Sequence, residues 1–234
     1  IATVNMFLNE NPDYPSPISL IITGDEEGPA INGTQKILPW MVQHHLTPGF
    51  CIVGEPTCRE VMGDTIKIGR RGTLTGHLAI LGTQGHVAYP HRADNPIPRL
   101  LDTLQALNKS PQENPSPFFD PSHLEITTID VGNPASNIIP STAKATFNIR
   151  FSDQQTPESL TKWIQDICQT HGGQHTLNID YGGDSFLQEP NPWMHEIARI
   201  VESVTGVKPD LNTVGGTSDA RFIYKYCPVL EFGP

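Results

Sequence analysis

Three adjacent carboxylates, Asp25, Glu26 and Glu27, stand between Gly24 and Gly28 at the end of the apolar run Ile18-Ser19-Leu20-Ile21-Ile22. Neighbouring acids raise one another's pKa unless cations or strong donors stand close by. At the end of a buried strand, one such carboxylate can hold a divalent cation while another moves a proton. A solvated polar turn is the plainer alternative and needs no partner. Consecutive side chains on an extended segment point to opposite sides, so the three acids cannot share one task. A fourth acid, Glu55, follows a second apolar run, Phe50-Cys51-Ile52-Val53, within the turn Gly54-Glu55-Pro56-Thr57. Histidines in an H-x-D or H-E-x-x-H arrangement, which would complete a metal set, do not occur in the 234 residues.

The elements that must position these acids follow from periodicity. Ile1, Val4, Met6, Phe7 and Leu8 form a helical stripe over residues 1–9, ended by Asn11-Pro12-Asp13-Tyr14-Pro15. Residues 18–22 are expected as a buried strand, and Asn32 as the cap of a helix from Thr34 to His45 that Pro39 kinks or divides. Strands alternating with helices predict a mostly parallel sheet, with ligands gathered outside the carboxyl ends of its strands. Glu27 and Glu55 would both lie at that edge.

From Gly72 the pattern changes. Residues 73–81 alternate, 96–107 have helical spacing, and 124–131 and 143–151 read as strands. Residues 157–170 then read as a helix with proline in its first turn, and 175–181 as a strand. The order βαββαβ predicts a ferredoxin-like domain inserted within an α/β domain. Beyond it come a helix over 192–205, a strand over 211–214, the loop Gly215-Gly216-Thr217-Ser218-Asp219 and a last strand over 229–232. The organisation is therefore 1–71 and 185–234 for the α/β domain and 72–184 for the insertion, with the Pro-rich 110–121 as a loop.

The formal net charge of -10 opposes a nucleic-acid or anionic-membrane surface and leaves small molecules as partners. Cys51, Cys58, Cys168 and Cys227 contain no C-x-x-C pair, which fits a reducing cytoplasm rather than a disulfide framework or zinc ribbon. No apolar run approaches the roughly 20 residues that span a bilayer.

Five motifs together carry a resemblance over essentially the whole chain. They are Gly24-Asp25-Glu26-Glu27-Gly28, Val53-Gly54-Glu55-Pro56-Thr57, Gly69-Arg70-Arg71-Gly72-Thr73-Leu74, Gln84-Gly85-His86-Val87-Ala88-Tyr89-Pro90-His91 and Gly215-Gly216-Thr217-Ser218-Asp219-Ala220-Arg221-Phe222. Their order and spacing resemble those of the dinuclear zinc amidohydrolases of the M20 peptidase family. The resemblance implies a cytoplasmic homodimer with two zinc ions per subunit, cobalt being possible in one site. It also implies a zinc-binding α/β domain carrying an inserted dimerisation domain. The implied reaction is amide hydrolysis of an N-succinylated diamino diacid, with an N-acetylated amino acid as the alternative substrate. On the same resemblance Glu26 corresponds to the general base, Glu27 to a ligand of one zinc and Glu55 to a ligand of the other. His86 corresponds to a histidine that reaches into the partner's active site and donates to the oxyanion. Arg70, Asn137, Arg150, Thr217, Ser218 and Arg221 correspond to or neighbour substrate-binding positions, and guanidinium forks suit a substrate rich in carboxylates. Arg71 reads as a surface salt bridge, Asp64, Asp94 and Asp219 as structural acids, and the remaining histidines as structural, with His91 open. The family's H-x-D segment, bridging aspartate and final histidine have no counterpart here. The expectation is a chain lacking both ends of the family pattern, and a dimerisation scaffold without activity is the reading of another class.

Overall fold

The computed structural model describes residues 1–28, 30–111, 113–114, 116–216 and 218–234. The chain divides into two compact units, Ile1–Gly49 and Phe50–Pro234.

The first unit contains α1 (Ala2–Glu10) and α2 (Thr34–Gln43). Residues 18–22 form no strand, and Leu20 and Ile22 are 54% and 75% exposed. A strand exists through its ladder, and the described part of this unit offers no second strand to pair with. The cap of α2 is Gly33 rather than Asn32, whose backbone N–H donates to Asp25 Oδ2 at 2.8 Å. Pro39 neither ends nor divides this helix. It removes one hydrogen bond, to the Gln35 carbonyl, while Leu38 and Met41 stay buried on either side of it.

The second unit runs β1 (Cys51–Val53), β2 (Thr65–Lys67), β3 (Gly69–Arg70), β4 (Gly72–Leu81), β5 (Gly85–His86), α3 (Pro96–Leu107), β6 (His123–Asp130), β7 (Ile138–Ile139), β8 (Thr142–Phe151), α4 (Pro157–His171), β9 (His175–Gly183), β10 (Phe186–Leu187), α5 (Pro192–Thr205), β11 (Asp210–Asn212), α6 (Ala220–Ile223) and β12 (Val229–Glu231). One sheet has the order β1-β12-β2-β11. Its outer pairings, β1 with β12 and β2 with β11, are parallel, and Glu231 opposite Lys67 joins β12 to β2 antiparallel. The sheet is thus mostly parallel, as the alternation of strands and helices predicts. Helix α5 packs on it through Met194 and Val201, which are buried with Ile66, Ile68 and Leu230.

The second sheet has the order β6-β8-β4-β9, antiparallel throughout, which is the ferredoxin-like arrangement. Local signals set its helices. Asn95 Oδ1 accepts from the Ile97 N–H ahead of α3, and Thr156 and Ser159 form a capping box at the start of α4. Leu100, Leu104 and Leu107 of α3 and Leu160, Ile164 and Cys168 of α4 recur at helical spacing and are buried on the sheet. Phe147 and Phe151 of β8 lie opposite Gly76 and Gly72 of β4. Each ring occupies the space a side chain would need at its glycine. The pair β3–β10 closes the two connections through which the chain enters and leaves this sheet. The described part of 110–121 carries no helix or strand, and Gln112 and Pro115 lie outside the described residues.

Candidate functional site

In the first unit, Asp25 to Gly28 is a turn rather than an extended segment. Asp25 organises it: its Oδ2 accepts from the Ile31 and Asn32 N–H groups at 2.6 and 2.8 Å. Its backbone carbonyl accepts from Gly28 and Ala30. Asp25 is therefore a loop-forming residue, which leaves Glu26, half-buried, and Glu27, exposed, in different surroundings.

In the second unit a charged node lies between β2, β3 and β12. Arg70 Nε donates to Glu231 Oε1 at 2.9 Å, and Arg70 Nη2 donates to Glu231 Oε2. Ser218 Oγ donates to Glu231 Oε1 at 2.5 Å. Arg70, Ser218 and Glu231 are all buried. Lys67, the strand partner of Glu231, is 7% exposed, and among the described residues its ammonium makes no ion pair or hydrogen bond. Burial first, and the Arg70 guanidinium next, hold Lys67 below the ordinary lysine range, while Glu231 and Glu55 act in the opposite sense. Glu55 follows the carboxyl end of β1, with its backbone against Gly233 beyond β12.

Gly215, with φ of +109°, faces this node. A Cβ there would overlap the Lys67 ammonium and come within 3.1 Å of Arg70 Nη1. Both cations therefore meet at a backbone that only glycine leaves open. Of the residues singled out in the sequence, Arg70 and Ser218 come together here, and Thr217 lies outside the described residues. Lys67 and Glu231 were missed. Their signal was a charge set in an otherwise apolar strand, in Thr65-Ile66-Lys67-Ile68 and Val229-Leu230-Glu231-Phe232.

His86 and Asn137 are brought together by the β5–β7 pair, and the Asn137 carbonyl accepts from the Val87 N–H. Both side chains are exposed. His86 Nδ1 lies 3.1 Å from the Ala88 N–H and accepts from it, which leaves the proton on Nε2. His86 thus presents an N–H donor outward.

Arg150 lies opposite both Thr73 and His123 in the second sheet. Its guanidinium is held below the ordinary range by burial and by the neighbouring Arg71. Arg71 makes no salt bridge among the described residues; its Nη1 donates to His123 Nδ1 at 3.2 Å. Arg221 Nη1 donates to the Gly182 carbonyl at 2.9 Å and its guanidinium lies over the Phe222 ring. Asp64 accepts from the Arg59, Glu60 and Val61 N–H groups, and Asp94 pairs with Arg99. Both acids are structural.

Metal-binding geometry is not assembled by these residues: among the described ones, no three His, Cys, Asp or Glu side chains gather as a metal set. Glu27 and Glu55 belong to different compact units.

Residues 68–176 match the peptidase dimerisation domain of the M20 type. The fold is similar to that of solved M20 peptidases. A M20 family metallo-carboxypeptidase from Sulfolobus solfataricus superposes with a TM-score of 0.65 at 13% identity, covering 86% of this chain and 60% of that one. An aminopeptidase from Bacillus cereus does so with a TM-score of 0.66 at 16% identity, covering 91% of this chain and 54% of that one. Over its whole length the chain is a homologue of succinyl-diaminopimelate desuccinylases. It is 53% identical to the one from Rhodospirillum centenum and 48% identical to the one from Gluconacetobacter diazotrophicus. The chain spans 60% of the length of each of these relatives. Among the described residues no helix is long and apolar enough to cross a membrane.

Proposed function

We propose that the protein, at the length of its curated relatives, hydrolyses N-succinyl-L,L-2,6-diaminopimelate to succinate and L,L-diaminopimelate in the biosynthesis of diaminopimelate and lysine. The observation that carries this reading is the buried Lys67 ammonium, without an ion pair or hydrogen bond among the described residues, beside Arg70 at the open face of Gly215. A succinyl group differs from an acetyl group by a carboxylate. A desolvated ammonium next to a guanidinium rewards that group with charge-assisted hydrogen bonds. An acetyl group would leave the ammonium buried and unanswered, which disfavours the acetylornithine-type alternative.

The remaining roles belong to the same proposal. Glu26 is the general base; with two zinc ions per subunit, Glu27 would hold one and Glu55 the other, and cobalt could replace one of them. His86 donates its Nε2–H to the oxyanion in the partner's active site. Its tautomer, fixed by Ala88, supports that role. Asn137, Arg150, Thr217, Ser218 and Arg221 contact substrate. Residues 1–71 and 185–234 form the catalytic domain and 72–184 the dimerisation domain of a cytoplasmic homodimer. The test is to supply the full-length protein with zinc and follow hydrolysis of the succinyl substrate. Turnover of N-acetylornithine in its place would overturn the substrate assignment. Absence of bound zinc would support a scaffold instead.

A further inference from the structure

We infer that Glu231 is a positioning residue for anion recognition: it holds the Arg70 guanidinium by two nitrogens so that the third, Nη1, stays beside Lys67 Nζ at Gly215. This rests on the reading of Lys67 and Arg70 as the grip on a substrate carboxylate.

The geometry is specific. Glu231 takes Nε and Nη2 of Arg70 and leaves Nη1 toward Gly215. Its own orientation is set from two directions. The β12–β2 ladder places it directly opposite Lys67, and Ser218 Oγ holds Oε1 at 2.5 Å. Ser218 also accepts from the Ala220 N–H at 3.2 Å, which ties the arrangement to the start of α6. Two cations facing one buried acid leave one positive charge in excess, complementary to a single carboxylate. Without Glu231, Arg70 would keep its charge and lose its direction.

The sign of the effect separates positioning from simple charge. Removing a carboxylate next to two cations strengthens anion binding by Coulomb's law alone, whereas loss of positioning weakens it. The experiment uses the full-length zinc-loaded protein, with succinate as the binding probe and N-succinyl-diaminopimelate as substrate. Glu231→Gln and Glu231→Asp should each raise the succinate Kd and the KM about tenfold, the size of one charge-assisted hydrogen bond. The loss should fall on KM rather than on kcat. Glu231→Asp keeps the charge but shortens the reach by one methylene, so a shared defect points to geometry. Either variant, folded by circular dichroism and binding succinate as tightly as the unaltered protein or more tightly, would overturn the proposal.

Should both variants fail to fold, nuclear magnetic resonance of the unaltered protein decides. Succinate should shift the Arg70 Nη1 protons and leave the Nε proton, held by Glu231, in place; movement of the Nε signal, or no succinate binding, would refute it. Succinate binding of the expected kind without turnover would count against the enzymatic reading and leave the positioning role standing.

Discussion

Arg70 and Glu231, 161 residues apart in the chain, form a two-point ion pair whose side chains are only 5% and 1% exposed. A buried pair is costly to break from one side, because the remaining charge has neither water nor partner. Arg70→Met should therefore lower the unfolding free energy by about 3–5 kcal/mol. Replacing both members, Arg70→Met with Glu231→Leu, should recover much of that loss. Urea unfolding at neutral pH measures both, and a single-variant cost below about 1 kcal/mol would show the pair to be better solvated than its burial implies.

Lys67 should give substrate binding an alkaline limb. Its folded pKa lies below that of an unfolded lysine, near 10.4, chiefly because of burial. Between the two values the unfolded chain binds more protons, so stability rises with pH through that window. The ammonium grip on a carboxylate is lost over the same range. The KM for the succinyl substrate should accordingly rise as pH passes upward through the lowered Lys67 value, and Lys67→Met should raise the neutral-pH KM about tenfold and abolish the limb. A limb that survives in Lys67→Met would assign it to another group.

Gly76→Ala should destabilise the antiparallel sheet, since the new methyl would overlap the Phe147 ring across the β4–β8 pair. The cost should be about 1–3 kcal/mol from overpacking, against about 3–5 kcal/mol for Phe147→Ala. Because the two sites touch, Gly76→Ala combined with Phe147→Leu should cost less than the sum of its parts. Strict additivity in denaturant unfolding would mean that the ring moves aside.

Glu26→Ala and Glu27→Ala should part company in the full-length protein. The first should retain zinc and lose about a hundredfold to ten-thousandfold in turnover, the range of a general base. The second should lose a metal. Elemental analysis beside kinetics decides, and equal metal loss in both would end the division of roles.

His86→Ala should slow turnover by about a hundredfold or more with zinc content unchanged, as expected for one oxyanion donor. An unaltered rate would leave His86 as a loop residue whose ring only accepts from Ala88.

The helices α3 and α5 begin and end where the sequence places them, at Pro96–Leu107 and Pro192–Thr205. Their signals are local: Asn95 and Asn191 caps, a following proline, and apolar residues at helical spacing. The βαββαβ order was legible for the same reason, since each strand's alternation is written within its own few residues. Residues 18–22 show the limit. Their apolar run reads as a buried strand, but a ladder needs a partner, and no partner strand is described in their unit.

The acids divide along the same line. By itself the sequence showed that Glu26, Glu27, Glu55 and His86 stand in motifs that resemble those of a hydrolase family. It could not determine that Arg70 and Ser218 converge on Glu231, nor that Lys67 lies opposite that acid with no ion pair or hydrogen bond among the described residues. Those facts depend on strand register and on burial. Both arise only when β2, β3 and β12, far apart in the chain, are packed together and water is excluded from between them.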